Sequence, residues 1–340
     1  MDTAENSRDL EQEPSMNLPL QGEKRLQQAK GNFSLTKRSP FITAVALFYI
    51  LLWSSAFIAT KVGVTHSPPL TFLAIRFLVA ALLMGMIAWI GRLSWPRGWA
   101  AWGRLVIFGL LNSAIYLGCN YEALRSLSAG MGSIIAATNP LLLTLIAPLV
   151  LKERLTWWRI LGLLLGFGGV VFVMGARLNG NDHLDTAGGM LIASIGIIGL
   201  VGATVFYKRF TPHEHAIVVN TVQLGAAGLV LLIPVLLFEH PEQIRMSAPL
   251  IESFLYLVLV ISIGASLLWF WLLKSGEASA VSAYYFLTPI AGLALAALLL
   301  GEPFELRDAF GLVAVAAGIA LINRPIHTKA ENKQQGSATT

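Results

Sequence analysis

The segment "TNPLLLTLIAPLVLKERLTWWRILG", Thr138–Gly162, sets Pro140 near the middle of an apolar, helix-like stretch that starts around Ser128. A proline inside a helix removes one backbone hydrogen bond and crowds the carbonyl four residues back, at roughly 3 kcal/mol in water. The feature returns 149 residues later, where "LTPIAGLALAALLLGEPFELRDAFG" carries Pro289 at the matching place. One such proline reads as an ordinary kink. Two at equivalent positions point to a repeat.

Sliding the chain by 149 residues aligns 121–174 with 270–323 without a gap. Ser126, Ala129, Ser133 and Pro140 fall on Ser275, Ala278, Ser282 and Pro289, and Glu153, Gly162 and Gly169 fall on Glu302, Gly311 and Gly318. Phe57 on Phe206 and His66 on His215 extend the match weakly. The chain reads as two copies of one five-helix unit, at 41–176 and 187–323.

Composition says what medium these units occupy. Of 340 residues, 55% are hydrophobic and 13% charged, against about 25% charged in soluble domains. Mean hydropathy is +0.67. Ten apolar spans are expected, at 41–63, 69–91, 103–124, 128–150, 157–176, 187–209, 215–238, 250–272, 276–300 and 305–323. Each approaches the ~20 residues that cross a hydrocarbon core. The fold expected is an all-α membrane protein, with polar tails at 1–40 and 324–340. The tail at 1–40 reads as disordered. No secretory signal fits, because the first apolar run is too long for one. The pI near 9.4 suits basic loops in a bilayer-embedded chain better than a nucleic-acid partner.

Lysine and arginine placement gives the orientation. With the N-terminus inside, fourteen of these residues from Lys30 to Lys329 fall on the cytoplasmic side. Five, namely Lys61, Arg125, Arg177, Arg245 and Arg307, fall opposite. Both termini are therefore expected in the cytoplasm, in a membrane of the bacterial inner type. Five spans per copy is odd, so the second copy enters the bilayer from the other side. Inverted repeats of this kind place substrate sites near the midplane, at interrupted helices. Pro140 and Pro289 would be those interruptions, freeing the carbonyls of Ala136 and Tyr285. Lipid cannot satisfy such groups; a neighbouring helix or a watery cavity can.

The run "KERLTWWRILGLLLGFGGVVFV" after Pro140 and its second copy "GEPFELRDAFGLVAVAAGIALI" resemble the tandem EamA domains of the drug/metabolite transporter superfamily. "WSSAF" at 53–57 with Lys61, and "RF" at 76–77, are similar to that family's first two helices. The resemblance covers roughly 41–323 and implies ten helices, two inverted halves and efflux or exchange of small metabolites such as amino acids. The second copy has "GATVF" in place of the Trp53 motif, so a site built on that tryptophan would be asymmetric.

Polar and aromatic residues in the spans are the candidate substrate contacts. Asn112, Tyr116 and Asn120 recur every four residues and should share one helix face. Ser262, Ser266 and Trp269 form a similar stripe. Thr138, Asn139, Tyr284 and Tyr285 flank the prolines, and Trp53, Tyr116, Trp269, Tyr284 and Tyr285 together would line an aromatic site. The alternative for each is hydrogen bonding or packing between helices. Trp95, Trp99, Trp102, Trp157 and Trp158 read as interfacial belts.

Arg76 lies about 10 Å into its span at 1.5 Å per residue. Either Glu122 neutralises Arg76 or Lys61, leaving positive charge to attract a carboxylate, or both bases snorkel outward. Glu153 and Glu302 end the repeats' fourth helices as anchors or gates. The glycines at Gly162–Gly169 and Gly225–Gly228 read as packing sites, with a dimer contact as the second use.

With Cys119 the one cysteine, neither an intrachain disulfide nor a multi-thiolate metal site can form. The six histidines fall in loops or at span ends, and no cofactor or metal is expected. The leading expectation is a secondary transporter for a small polar or zwitterionic metabolite, monomeric or homodimeric. A channel is the runner-up. A membrane enzyme ranks below both, since no metal-ligand motif or nucleophile elbow is present. No acid lies near the middle of a span, so transport is uncoupled or exchange-like, or Glu122 carries protons from the edge.

Overall fold

The computed structural model describes residues 40–150, 156–178, 185–210, 214–274 and 287–322. The elements among them are all helical. Backbone groups in a bilayer find partners only within a helix or a closed barrel, and these sequences are apolar on nearly every side. Eight helical stretches are long and apolar enough to cross a membrane, from Ala44–His66 to Ala248–Trp269. Thr288–Leu300 is a shorter apolar helix, and the last helix, Leu306–Ile322, has 17 residues.

In chain order, α1 is Pro40–His66, α2 Pro69–Ile90 and α3 Trp99–Gly109. A π-helical segment, Leu110–Ile115, joins α3 to α4 (Tyr116–Ala123). Then come α5 (Ala129–Ala136), α6 (Asn139–Val150), α7 (Trp157–Leu178), α8 (Ala187–Phe210) and α9 (Ala216–Phe238). After α10 (Ala248–Leu255) a second π segment, Tyr256–Ala265, leads into α11 (Ser266–Lys274). The last two are α12 (Thr288–Leu300) and α13 (Leu306–Ile322). Adding 149 to Leu110–Ile115 lands inside the second π segment, and the starts of α6 and α7 map onto those of α12 and α13. The repeat thus extends to the irregular backbone.

The prolines cost less than a mid-helix position implies. Pro140 and Pro289 are each the second residue of a new helix, α6 and α12. First-turn N–H groups have no intrahelical partner, so a missing one is tolerated there. The preceding helix closes separately, with Ala137 N donating to Ser133 O at 3.1 Å and Thr138 N to Ile135 O at 3.0 Å. Tyr285 lies outside the described residues.

The halves pack through repeat-equivalent helices. The pairs α7 with α13 and α2 with α9 are the two most extensive contacts among the described residues, and α1 meets the second π segment as α8 meets the first. At the α7–α13 seam, a Cβ on Gly162 would meet Gly318 O at 2.6 Å, and one on Gly169 would meet Gly311 O at 2.7 Å. Residue numbers rise along one helix as they fall along the other. Equivalent helices therefore run antiparallel, as inversion of the second copy requires.

Charged residues fasten the turn between α4 and α5 from three sides. Lys61 Nζ, on α1, donates to Leu124 O at 2.8 Å and Leu127 O at 2.6 Å. Asp185 accepts from Ser128 N at 2.7 Å and Ser128 Oγ at 3.1 Å. Glu302, after α12, accepts from Ala129 N at 2.7 Å and Gly130 N at 3.0 Å. A cation sits at a helix C-terminus and carboxylates at an N-terminus, which suits the helix dipole. Glu239 treats α2 the same way, accepting from Leu70 N at 2.9 Å and Thr71 N at 2.6 Å. Glu302→Gln keeps one acceptor oxygen and loses the charge. It should destabilise the protein by about 1–3 kcal/mol, read as a lower unfolding temperature in detergent; an unchanged temperature would make this carboxylate dispensable. Glu153 lies outside the described residues.

Behind Asp185 sits a buried ion cluster. Arg177 donates through Nε to Asp308 Oδ1 at 3.0 Å and through a terminal nitrogen to Oδ2 at 2.5 Å. It also lies 3.6 Å from Asp185 and donates to Pro303 O at 3.1 Å. All three charged side chains are at least nine-tenths buried.

Candidate functional site

A cavity of about 40 Å³ is lined by residues of α1, α2 and α4 in the first half, with Ile261 of the second π segment against it. Its walls include Trp53, Phe57, Thr60, Arg76, Tyr116, Asn120, Tyr121 and Ile261. The volume holds a few waters or a small head group. A larger open recess of about 630 Å³, lined by Gly98, Trp99, Trp102, Gly103 and Val106, is nearly all apolar and offers no charged side chain. The small cavity is where polar chemistry converges.

The segment "WSSAF" on α1 builds one wall, and each residue type has a task. Trp53 and Phe57 face the cavity. Ser54 Oγ donates to Thr288 O at 3.2 Å, at the start of α12. Ser55 Oγ pairs with Tyr256 Oη at 2.6 Å, across to the second π segment. Two hydroxyls thus lock the Trp53 wall to the other half.

Arg76 provides the charge. It is 4% exposed, donates through Nε to Ser262 Oγ at 3.2 Å, and donates to Tyr121 Oη. Its guanidinium lies 5.8 Å from the Tyr121 ring centroid, within cation–π range. Among the described residues no carboxylate pairs with it. Glu122 instead binds Arg125 at 3.0 Å, and Lys61 holds the α4–α5 turn. Glu122 therefore neutralises neither base, and Arg76 is buried rather than snorkelling, while Lys61 keeps to a stabilising role at the α4–α5 turn. Pairing within one turn keeps Glu122 local, while Ser262 and Tyr121 anchor Arg76 inward.

A chain of amides extends from this point. Ser262 O accepts from Asn220 Nδ2 at 3.0 Å, which also approaches Met84 Sδ at 2.9 Å. Gln223 Nε2 donates to Asn220 Oδ1, and Asn112 Nδ2 donates to Gln223 Oε1 at 3.3 Å. Arg76 is thereby tied through α9 to the first π segment.

The predicted residues divide accordingly. Trp53, Arg76, Tyr116 and Asn120 share the cavity. Asn112 does not line it, because the π segment between it and Tyr116 changes the turn and puts four-residue spacing out of phase. Trp269 stacks on Tyr49 at 5.4 Å, and Tyr49 stacks on Trp53 at 6.4 Å, one aromatic layer behind the wall. Thr138 spends its hydroxyl on Ile135 O at 2.7 Å. Asn139 and Thr288, equivalent across the repeat, each hold a buried side-chain oxygen with no hydrogen-bond partner among the described residues. Tyr284 and Tyr285 lie outside the described residues. Reasoning from sequence missed Thr60, Tyr121, Asn220 and Gln223. The spacing of three between Asn220 and Gln223 in an apolar run was the available signal for that pair.

Comparison with known proteins agrees with this architecture. Residues 41–175 and 187–324 each match the EamA-like transporter family. An uncharacterized transporter of Bacillus subtilis, YvbV, is 32% identical over 83% of this chain and 91% of its own length. A protein of Salmonella typhimurium described as a probable amino-acid metabolite efflux pump is 29% identical over 81% of this chain and 92% of its own. A solved crystal structure at 21% identity superposes with a TM-score of 0.60, covering 84% of this chain and 96% of that one, which speaks to the fold. With two matched repeats, a relative above 30% identity and a membrane-spanning helical fold, the chain belongs to the EamA-like transporter family of the drug/metabolite transporter superfamily.

Proposed function

We propose that this multi-pass membrane protein is a secondary transporter of ten helices that exports or exchanges a small metabolite, of the amino-acid kind, by alternating access through the cavity between its repeats. The observation that carries the reading is the convergence of Trp53, Arg76, Tyr116 and Asn120 on one cavity that the second half meets through Ile261. A space of about 40 Å³ cannot take a whole metabolite. Loading therefore requires the halves to part; the break before Pro140 offers a hinge, and Pro289 holds the equivalent place in α12. The likeness to amino-acid metabolite efflux pumps supports the substrate class. In this reading both termini are cytoplasmic, and the end fastened by Lys61, Asp185 and Glu302 faces outward.

The test is counterflow in proteoliposomes, using labelled amino acids, organic acids, amines and polyols. A transporter concentrates label against an unlabelled internal pool, whereas a channel only equilibrates it. Absence of counterflow for the whole panel would sink the reading. Once a counterflowing solute is known, Tyr116→Phe and Asn120→Ala should each lower its rate about fivefold or more, the equivalent of one lost hydrogen bond of about 1 kcal/mol. Asn112→Ala acts through Gln223 and should have less effect. Equal rates for all three variants would remove the cavity from the pathway.

A further inference from the structure

We infer that the Arg76 guanidinium is the receptor for a monoanionic carboxylate carried by an otherwise apolar substrate; this rests on the transporter reading above and names the chemistry it recognises. A guanidinium 4% exposed inside a membrane-spanning helix is costly unless paired. Its fixed partners are neutral: the Ser262 hydroxyl, the Tyr121 phenol and the Tyr121 ring. Ser262 and Tyr121 hold two of its nitrogens and fix its plane, while the group still contributes to the cavity wall. A positioned guanidinium facing a cavity is built to donate two parallel hydrogen bonds to a carboxylate.

The repeat makes the charge informative. The residue equivalent to Arg76 is Gly225, and the equivalent of Ser262 is Ser113. Ser262 accepts from Arg76, whereas the buried Ser113 Oγ has no hydrogen-bond partner among the described residues. The second half thus lacks the cation, and the cavity carries one positive centre rather than a symmetric pair. One centre balances one negative charge; a dianion would leave an uncompensated charge in a water-poor space.

The other walls describe the rest of the molecule. Trp53, Phe57, Leu117 and Ile261 provide apolar surface, and none of the lining residues is acidic. A substrate ammonium would find only neutral oxygens, from Thr60, Tyr116, Asn120 and Tyr121. Recognition should therefore depend on the carboxylate far more than on the amine.

Purified full-length protein, titrated while its tryptophan emission is followed, tests this with L-phenylalanine, L-leucine, their carboxamides, 3-phenylpropionate and 4-methylpentanoate. At least one carboxylate is expected to change the emission, through Trp53, so that Trp53→Phe removes the change. Its carboxamide should bind at least roughly tenfold more weakly, the scale of a charge-assisted contact, and the amine-free acid should bind within a few-fold of the amino acid. Arg76→Gln should abolish the preference for carboxylate over carboxamide. Arg76→Lys, which keeps the charge and guards against misfolding in the neutral variant, should retain part of it. Carboxamides binding as well as acids, an unchanged preference in Arg76→Gln, or no binding by any of the four acids would each overturn the inference. Counterflow of a solute without a carboxylate would also overturn it while leaving the transporter reading intact. Acid binding without any counterflow would do the reverse.

Discussion

Arg177→Leu should lower stability by about 3–5 kcal/mol, among the largest losses available to a single substitution in this chain. The side chain joins the end of α7 to the start of α13 through two bonds to Asp308, and also neutralises Asp185 at 3.6 Å. Removing it leaves two carboxylates that are 1% and 6% exposed without their cation. Asp185 in turn holds Ser128 at the start of α5, so the damage should spread to the α4–α5 turn. Arg177→Leu combined with Asp308→Leu should recover much of the loss, because an apolar pair often replaces a buried ion pair at little cost. Unfolding of the detergent-purified variants gives the measurement. A single variant as stable as the parent, or a double variant no better than the single, would show that the ion cluster does not hold this end together.

Gly318→Ala is the second. A Cβ at this position would stand 2.6 Å from both Gly162 O and Gly166 N, which are backbone atoms of α7. No side-chain rotation relieves such a clash, so the helices must separate along their closest line of contact. Overpacking of this kind costs about 1–3 kcal/mol, and the upper part of that range is expected because both obstructing atoms are main chain. Gly168→Ala is the matched control, since a Cβ there meets nothing within 4 Å. The same thermal assay should separate the two; equal behaviour would mean the seam is looser than the described approach.

Much of the fold was legible because it rests on features local to a helix or repeated at one interval. Apolar runs marked the spans, the interval of 149 residues marked the halves, and Pro140 marked the break between α5 and α6. The site was legible only where polarity stood out on a single helix, as at Arg76, Tyr116 and Asn120. Pairings between distant residues were not. Arg177 and Asp308 are 131 positions apart, and each looked like an ordinary charge at a span edge. The stripe from Asn112 to Asn120 misled because helical periodicity assumes a uniform turn, and the π segment has a wider one. Tyr121 was passed over beside Asn120 because its hydroxyl matters only through a base on another helix.

The glycine seam also bears on stoichiometry. Since α7 and α13 turn their smallest residues toward each other, the surfaces they leave for the lipid annulus are knobbed, with Leu164, Val171, Phe310 and Val313 each about two-thirds bare. A second copy approaching these helices would meet chiefly bulky branched and aromatic groups, with exposed Gly168 between Leu164 and Val171. The backbone-to-backbone approach that Gly162, Gly169, Gly311 and Gly318 permit is already taken up within one chain, so these four glycines are not open to a second copy.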